Sequence, residues 1–223
     1  MVSATAPSKK TLWDIPTRVF HWSIVACVLL SWWSAEEQRY DLHEYSGYTV
    51  IVLVLFRIIW GFVGSTHSRF SDFLVGPGKL DHYLRTGEYQ SAGHNPIGGL
   101  STIAFLLLLL MQGVSGLFNT DDIIFSGPLH FMASTELRDT MGLVHDMLFT
   151  VLLGFIAVHI VAVLYHQLRK KEPLIQAMVR GRASGREGRG SVVAWWPAIV
   201  IIAALAAALL WGLEQAPQPQ PFF

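Results

Sequence analysis

The sequence predicts an all-α integral membrane protein with five transmembrane helices. Two observations carry this. Of the 223 residues 52% are apolar and only 14% charged, with a mean hydropathy of +0.42. The apolar residues also gather in runs of about 17–25, the length that crosses a hydrocarbon core roughly 30 Å thick. A third observation, the sidedness of the basic residues, orients the spans.

In chain order, a polar segment over 1–16 precedes the first span, at 17–34. No small-residue cleavage site follows that run, so it reads as a retained span rather than a signal peptide. The second span covers 43–63. The loop at 64–93 is too long for a tight turn and reads as interfacial helix broken by Gly76-Pro77-Gly78. Its membrane-facing candidates are Phe70, Phe73, Leu74, Leu80 and Tyr83. The third span covers 96–118 and the fourth 141–166. A basic segment at 169–192, rich in Gly, Arg and Ser from Gly181 to Gly190, reads as a flexible tether. The fifth span covers 193–213, and a Pro/Gln-rich tail fills 214–223.

Basic residues collect on alternate loops: Lys9, Lys10 and Arg18; Arg69, Lys79 and Arg85; then Arg169, Lys170, Lys171, Arg180, Arg182, Arg186 and Arg189. By the positive-inside rule that side is cytoplasmic. The N-terminus then lies in the cytoplasm and the C-terminus in the periplasm. The opposite loops hold only Arg39 and Arg138 as basic residues, against Glu36, Glu37, Asp41, Glu44, Asp121, Asp122, Glu136 and Asp139. Either this polarity only controls topology, or the acidic loops form a docking face for a cationic periplasmic partner. Nothing in the sequence points to nucleic acid. The single cysteine, Cys27, excludes an internal disulfide, a Cys-x-x-Cys-His haem attachment and an iron–sulfur site on this chain.

Four of the nine histidines lie in or at the edges of spans: His21, His43, His145 and His159. Ligating residues inside a membrane are costly and mark function by default, and imidazole is a standard axial ligand of haem iron. His145 and His159 are fourteen residues apart. On one helix that is roughly 21 Å of rise, with a return to within about 40° of the same face. The alternation of spans then pairs His21 with His159 at the cytoplasmic depth and His43 with His145 at the periplasmic depth. The alternative is four packing histidines, each satisfied by hydrogen bonds.

Arg57 follows His43 by fourteen residues on the same face. A buried arginine needs an anion. A propionate of an inner haem would serve, or the side chain snorkels to the surface. Arg18, one turn before His21, is a second candidate for the same role. Gly47, Gly113, Gly116 and Gly154 either admit a flat macrocycle or let helices pack closely. His166 would touch a propionate or a quinone, whereas His67, His82, His94 and His130 read as solvated polar residues.

The ordered set of pieces is similar to a known family. They are Trp13-Asp14-x-Pro16-x-Arg18-x-x-His21-Trp22, His43-x-x-x-Gly47-Tyr48, Arg57-x-x-Trp60-Gly61-x-x-Gly64, Gly93-His94-Asn95-Pro96, and His145 with His159. From Leu12 to Met178 the chain resembles the b-type cytochrome subunits of nickel–iron hydrogenases and their relatives among bacterial di-haem cytochromes b. The resemblance implies a four-helix transmembrane bundle holding two haems b over 17–168, here with an additional C-terminal transmembrane helix. It implies His21, His43, His145 and His159 as axial ligands. It also implies an electron-transfer subunit in the bacterial inner membrane, linking a periplasmic cytochrome c or hydrogenase-like enzyme to the quinone pool. Two other readings stay open. One is a stand-alone oxidoreductase acting on a small periplasmic substrate such as superoxide. The other is a haem-free transporter or membrane anchor.

Overall fold

The computed structural model describes residues 11–89, 91–120, 125–182, 184 and 188–217. Lys9, Lys10, Asp121, Asp122, Arg186 and the tail beyond 217, all used in the sequence reading, lie outside the described residues. Helix α1 spans Ile15–Glu36, opened by Asp14, whose carboxylate accepts the Thr17 N–H at 2.9 Å. Pro16 sits in the first turn, where its missing N–H costs nothing. Helix α2 spans Tyr40–Val63. Two short helices, α3 (Phe70–Phe73) and α4 (Pro77–Thr86), form the following loop, and α4 closes on Gly87 at φ 73°, a left-handed C-cap that glycine adopts freely. Helix α5 (Pro96–Gly116) is capped by Asn95, which accepts the Gly98 N–H at 2.7 Å. Helix α6 spans Thr135–Leu168, α7 Leu174–Arg180 and α8 Trp196–Glu214.

Helices α1, α2, α5, α6 and α8 are long and apolar enough to cross a membrane, so the protein is a multi-pass helical membrane protein. Their alternation puts Glu36, Glu44 and Asp146 at one end of the bundle, the acidic end, and Arg18, Arg69 and Arg169 at the other, the basic end. Helix α6 starts six residues before the expected 141. Ser134 caps it, accepting the Leu137 N–H at 3.3 Å, and supports a polar first turn that hydropathy alone does not register. At 34 residues it is about 51 Å long and overhangs the hydrocarbon core.

Helix α2 is the centre. More than half of its membrane window is buried, against less than a fifth for each of the other spans. It packs on α1, α5 and α8, while α6 lies along α5 and approaches neither α1 nor α2 as closely. His43 of α2 and His145 of α6 face each other across the space left between those two helices. In lipid such contacts gain dispersion rather than hydrophobic free energy, so small residues set the distances. A Cβ on Gly113 would stand 2.6 Å from Ile51 Cγ1, and one on Gly61 would run into the Phe70 ring.

Two expectations need correction. Phe70 and Phe73 do not face the membrane: Phe70 covers Gly61 and Arg57, and Phe73 is fully buried. The described parts of the basic segment are docked rather than loose. Leu12 N–H bonds to Gly181 O at 2.8 Å, Thr66 N–H to Ser191 O at 3.1 Å, and Ser191 and Val193 donate to Thr66 and Ser65. Consequently α8 does contact the core: Ala198, Ile201 and Leu205 pack on Phe56 and Trp60 of α2.

Candidate functional site

At the acidic end His43, in the first turn of α2, faces His145 of α6 with ring centroids 6.1 Å apart. Both rings are held by their Nδ1 atoms. His43 Nδ1–H donates to Ser31 O at 2.9 Å, and His145 Nδ1–H donates to Gln112 O at 3.0 Å, with Ser115 Oγ 3.2 Å from the same nitrogen. A carbonyl only accepts, so the proton sits on Nδ1 and Nε2 is the nitrogen left for a metal. Gln112 Nε2 lies 3.1 Å from His145 Nε2.

Both histidines line a cavity of about 360 Å³, with Trp32, Glu44, Gly47, Tyr48 and Asp146 around it. That lies within the range of small-molecule and cofactor sites. Tyr48 donates to Glu44. A Cβ on Gly47 would meet nothing within 4 Å, whereas one on Gly116 would stand 3.0 Å from His145 Cε1. Of the α5 glycines, Gly113 lets α2 pack closely, and Gly116 makes room for the His145 imidazole, a role the sequence reading did not offer.

The basic-end pair is built differently. His21 of α1 and His159 of α6 lie within electrostatic range of each other. Among the described residues no carbonyl anchors His21, whose buried Nδ1 has no hydrogen-bond partner there. His159 is edge-on to Phe105 at 5.5 Å. Arg57 is only 2% exposed, with Nη1 unpartnered, its guanidinium 5.5 Å from the Phe70 ring, and Asp14 within electrostatic range. Arg18 is turned towards the end of α7: its Nη1 donates to Val179 O at 2.7 Å and its Nε is buried without a partner. Between the two pairs, Leu152 lies seven residues from each α6 histidine and packs with Val50, Val54, Leu106 and Leu109 as an apolar partition.

Asp14 was not singled out by sequence, yet it organises the basic end. It is 2% exposed and accepts from Thr17 N–H and, at 2.9 Å, from Trp60 Nε1. Burial opposes its ionisation, but hydrogen bonds from Ser65, Thr17 and Trp60 outweigh that and hold the carboxyl below its ordinary value. An Asp-x-Pro just before an apolar run is a helix-start signal that could have marked it. What that signal cannot show is the partner 46 residues on.

Of the remaining histidines, His82 is exposed as expected, and three others are not solvated. His67 is 4% exposed, with Nδ1 2.9 Å from Asp72 Oδ2 and Nε2 accepting the Arg189 N–H at 2.8 Å. His94 packs between Trp13 and Phe73. His130 is buried, accepting from Arg138 Nη1 at 2.8 Å. His166 Nδ1 lies 3.4 Å from Glu172 Oε2.

Among the described residues no three or more His, Cys, Asp or Glu side chains are grouped to hold a bare metal ion; the membrane histidines come in pairs. Comparison with curated proteins and with solved structures returned no match. The family described as prokaryotic cytochrome b561 matches residues 12–181, well over half the chain and nearly the stretch that carries the motifs. With its helical membrane fold and that match, the chain belongs to the prokaryotic cytochrome b561 family, whose function is b-type haem electron transfer in the membrane.

Proposed function

We propose that the protein carries electrons across the bacterial inner membrane between a periplasmic redox partner, a cytochrome c or hydrogenase-like enzyme, and the quinone pool. Two haems b would be held within the 17–168 core, one between His43 and His145 and one between His21 and His159. The basic end would be cytoplasmic and the acidic end periplasmic. The separation of the acidic-end imidazoles carries the reading: 6.1 Å between ring centroids suits one metal bound from both sides at metal–imidazole distances of about 2 Å. The cavity beside these rings and the bare face of Gly47 give room for a flat group.

Held by these histidines, haem b would supply a one-electron centre. The protein's part is orientation and charge. Ser31 O and Gln112 O aim the acidic-end rings. Arg57 Nη1, and secondarily Arg18 Nε, are buried donors without partners that would meet haem carboxylates at the basic end. We place the quinone at that end. Superoxide chemistry is the less favoured reading, because Glu36, Glu44 and Asp146 around the cavity repel an anion.

The test is a haem-to-protein ratio with a reduced-minus-oxidised spectrum on wild type, His21→Ala and His145→Ala. Two haems b in wild type and one in each variant is the expected result. A folded, reconstituted protein that binds no haem would overturn the proposal in favour of a transporter or anchor.

A further inference from the structure

We propose that Ser115 is a positioning residue that sets the redox potential of the acidic-end site through His145. This rests on the reading of His145 as an iron ligand. Ser115 is 1% exposed and lies on α5, opposite the His145 ring. A buried serine in a membrane helix commonly does no more than bond back to the carbonyl one turn earlier, and Ser115 Oγ does donate to Gln112 O at 3.0 Å. The same hydroxyl oxygen, however, is 3.2 Å from His145 Nδ1, and Gln112 O is 3.0 Å from that nitrogen. The three atoms close a triangle. The Nδ1–H therefore faces two acceptors, the carbonyl oxygen and the hydroxyl lone pair.

Each acceptor draws on that N–H and makes the ring more basic at Nε2. A more basic imidazole ligand favours oxidised over reduced iron, so hydrogen bonds accepted from its Nδ1–H would lower a haem potential. The arrangement differs from that at His43, whose Nδ1 meets the single carbonyl of Ser31, and at His21, whose Nδ1 meets no partner among the described residues. Gly116 completes the device, because a Cβ there would press on His145 Cε1 at 3.0 Å and turn the ring away from Ser115. One turn of α5, Gln112 to Gly116, thus supplies the carbonyl, the hydroxyl and the room for the ring.

The experiment is a redox titration of the full-length haem-loaded protein as wild type, Ser115→Ala and Ser115→Thr, with haem content measured in each. Ser115→Ala is expected to keep its haem and shift the one-electron equilibrium of one component about three- to tenfold towards reduced iron, or about 30–60 mV upward. The other component stays in place, and Ser115→Thr, which retains the hydroxyl, restores the wild-type midpoint. Unmoved midpoints in Ser115→Ala with full haem content would overturn the proposal. Should the alanine variant lose haem, Ser115→Cys, with its weaker acceptor, decides: an upward shift supports the role and an unmoved midpoint overturns it. His145→Ala runs alongside. If it retains all its haem and every midpoint, the ligand reading itself has failed, an outcome separate from the failure of Ser115.

Discussion

The two ends of the bundle carry the same pair of residues in opposite settings. At the acidic end the imidazoles are fixed by backbone carbonyls and border a cavity open on the Gly47 side, with Glu44 and Asp146 on its wall. At the basic end the His21 ring has no anchor, and the rigidity lies beside it, in the Asp14, Trp60 and Arg57 cluster covered by Phe70. The acidic end holds its histidines and leaves the space; the basic end holds its surroundings and leaves nitrogens of His21 and Arg57 unpartnered among the described residues. If each pair holds a haem as proposed, negative charge would stabilise oxidised iron and positive charge reduced iron, giving the two sites different potentials.

The largest break in this comparison is Arg57→Leu. It removes the buried cation that lies within electrostatic range of Asp14 and the donor proposed to meet a haem carboxylate, read as haem content in detergent. The basic-end haem is expected to go while the acidic-end haem stays; equal loss of both would show that the ends are not separate.

Next comes Asp14→Asn, which keeps the helix cap but removes the charge, at a cost of about 2 kcal/mol. The pH dependence follows from the depressed carboxyl. Its contribution is complete above the ordinary value of 3.8 and is lost as pH falls through the lower folded value. The stability difference between wild type and Asp14→Asn should therefore be flat from neutral pH down to about pH 4 and shrink below it. A difference that shrinks between pH 7 and 5 would contradict the assignment.

The smallest effect on the fold is expected of Gly47→Ala. Its Cβ meets no atom of the protein, so thermal stability without haem should move by no more than about 0.5 kcal/mol. Haem content at the acidic end should nevertheless fall, because the methyl group enters the cavity. Unchanged haem content would mean that the flat group lies elsewhere.

The five spans and the histidines within or beside them were legible because lipid allows few alternatives: apolar length and costly ligating residues each leave a one-dimensional trace. The pairing of depths was legible as well, since fourteen residues on one helix return to the same face, and the structure brings His43 to His145 across the bundle. His67 was misread as solvated because its burial depends on a carboxylate five residues on and a backbone N–H 122 residues away. The basic segment was misread as loose for a similar reason: Gly, Arg and Ser composition describes a chain without contacts, and Thr66, Ser65 and Trp13 supply the contacts.

By itself, then, the sequence determined the helical membrane class, the five apolar spans and the alternation of acidic and basic loops, because these depend on local composition and helical rise. Tertiary structure alone decided that α2 is the central helix, that α8 closes against it, that Asp14 and Trp60 lock the basic end, and that Ser115 and Gly116 hold the His145 ring. Those outcomes depend on which side chains from distant helices come within about 3 Å of one another, a property no single stretch of sequence records.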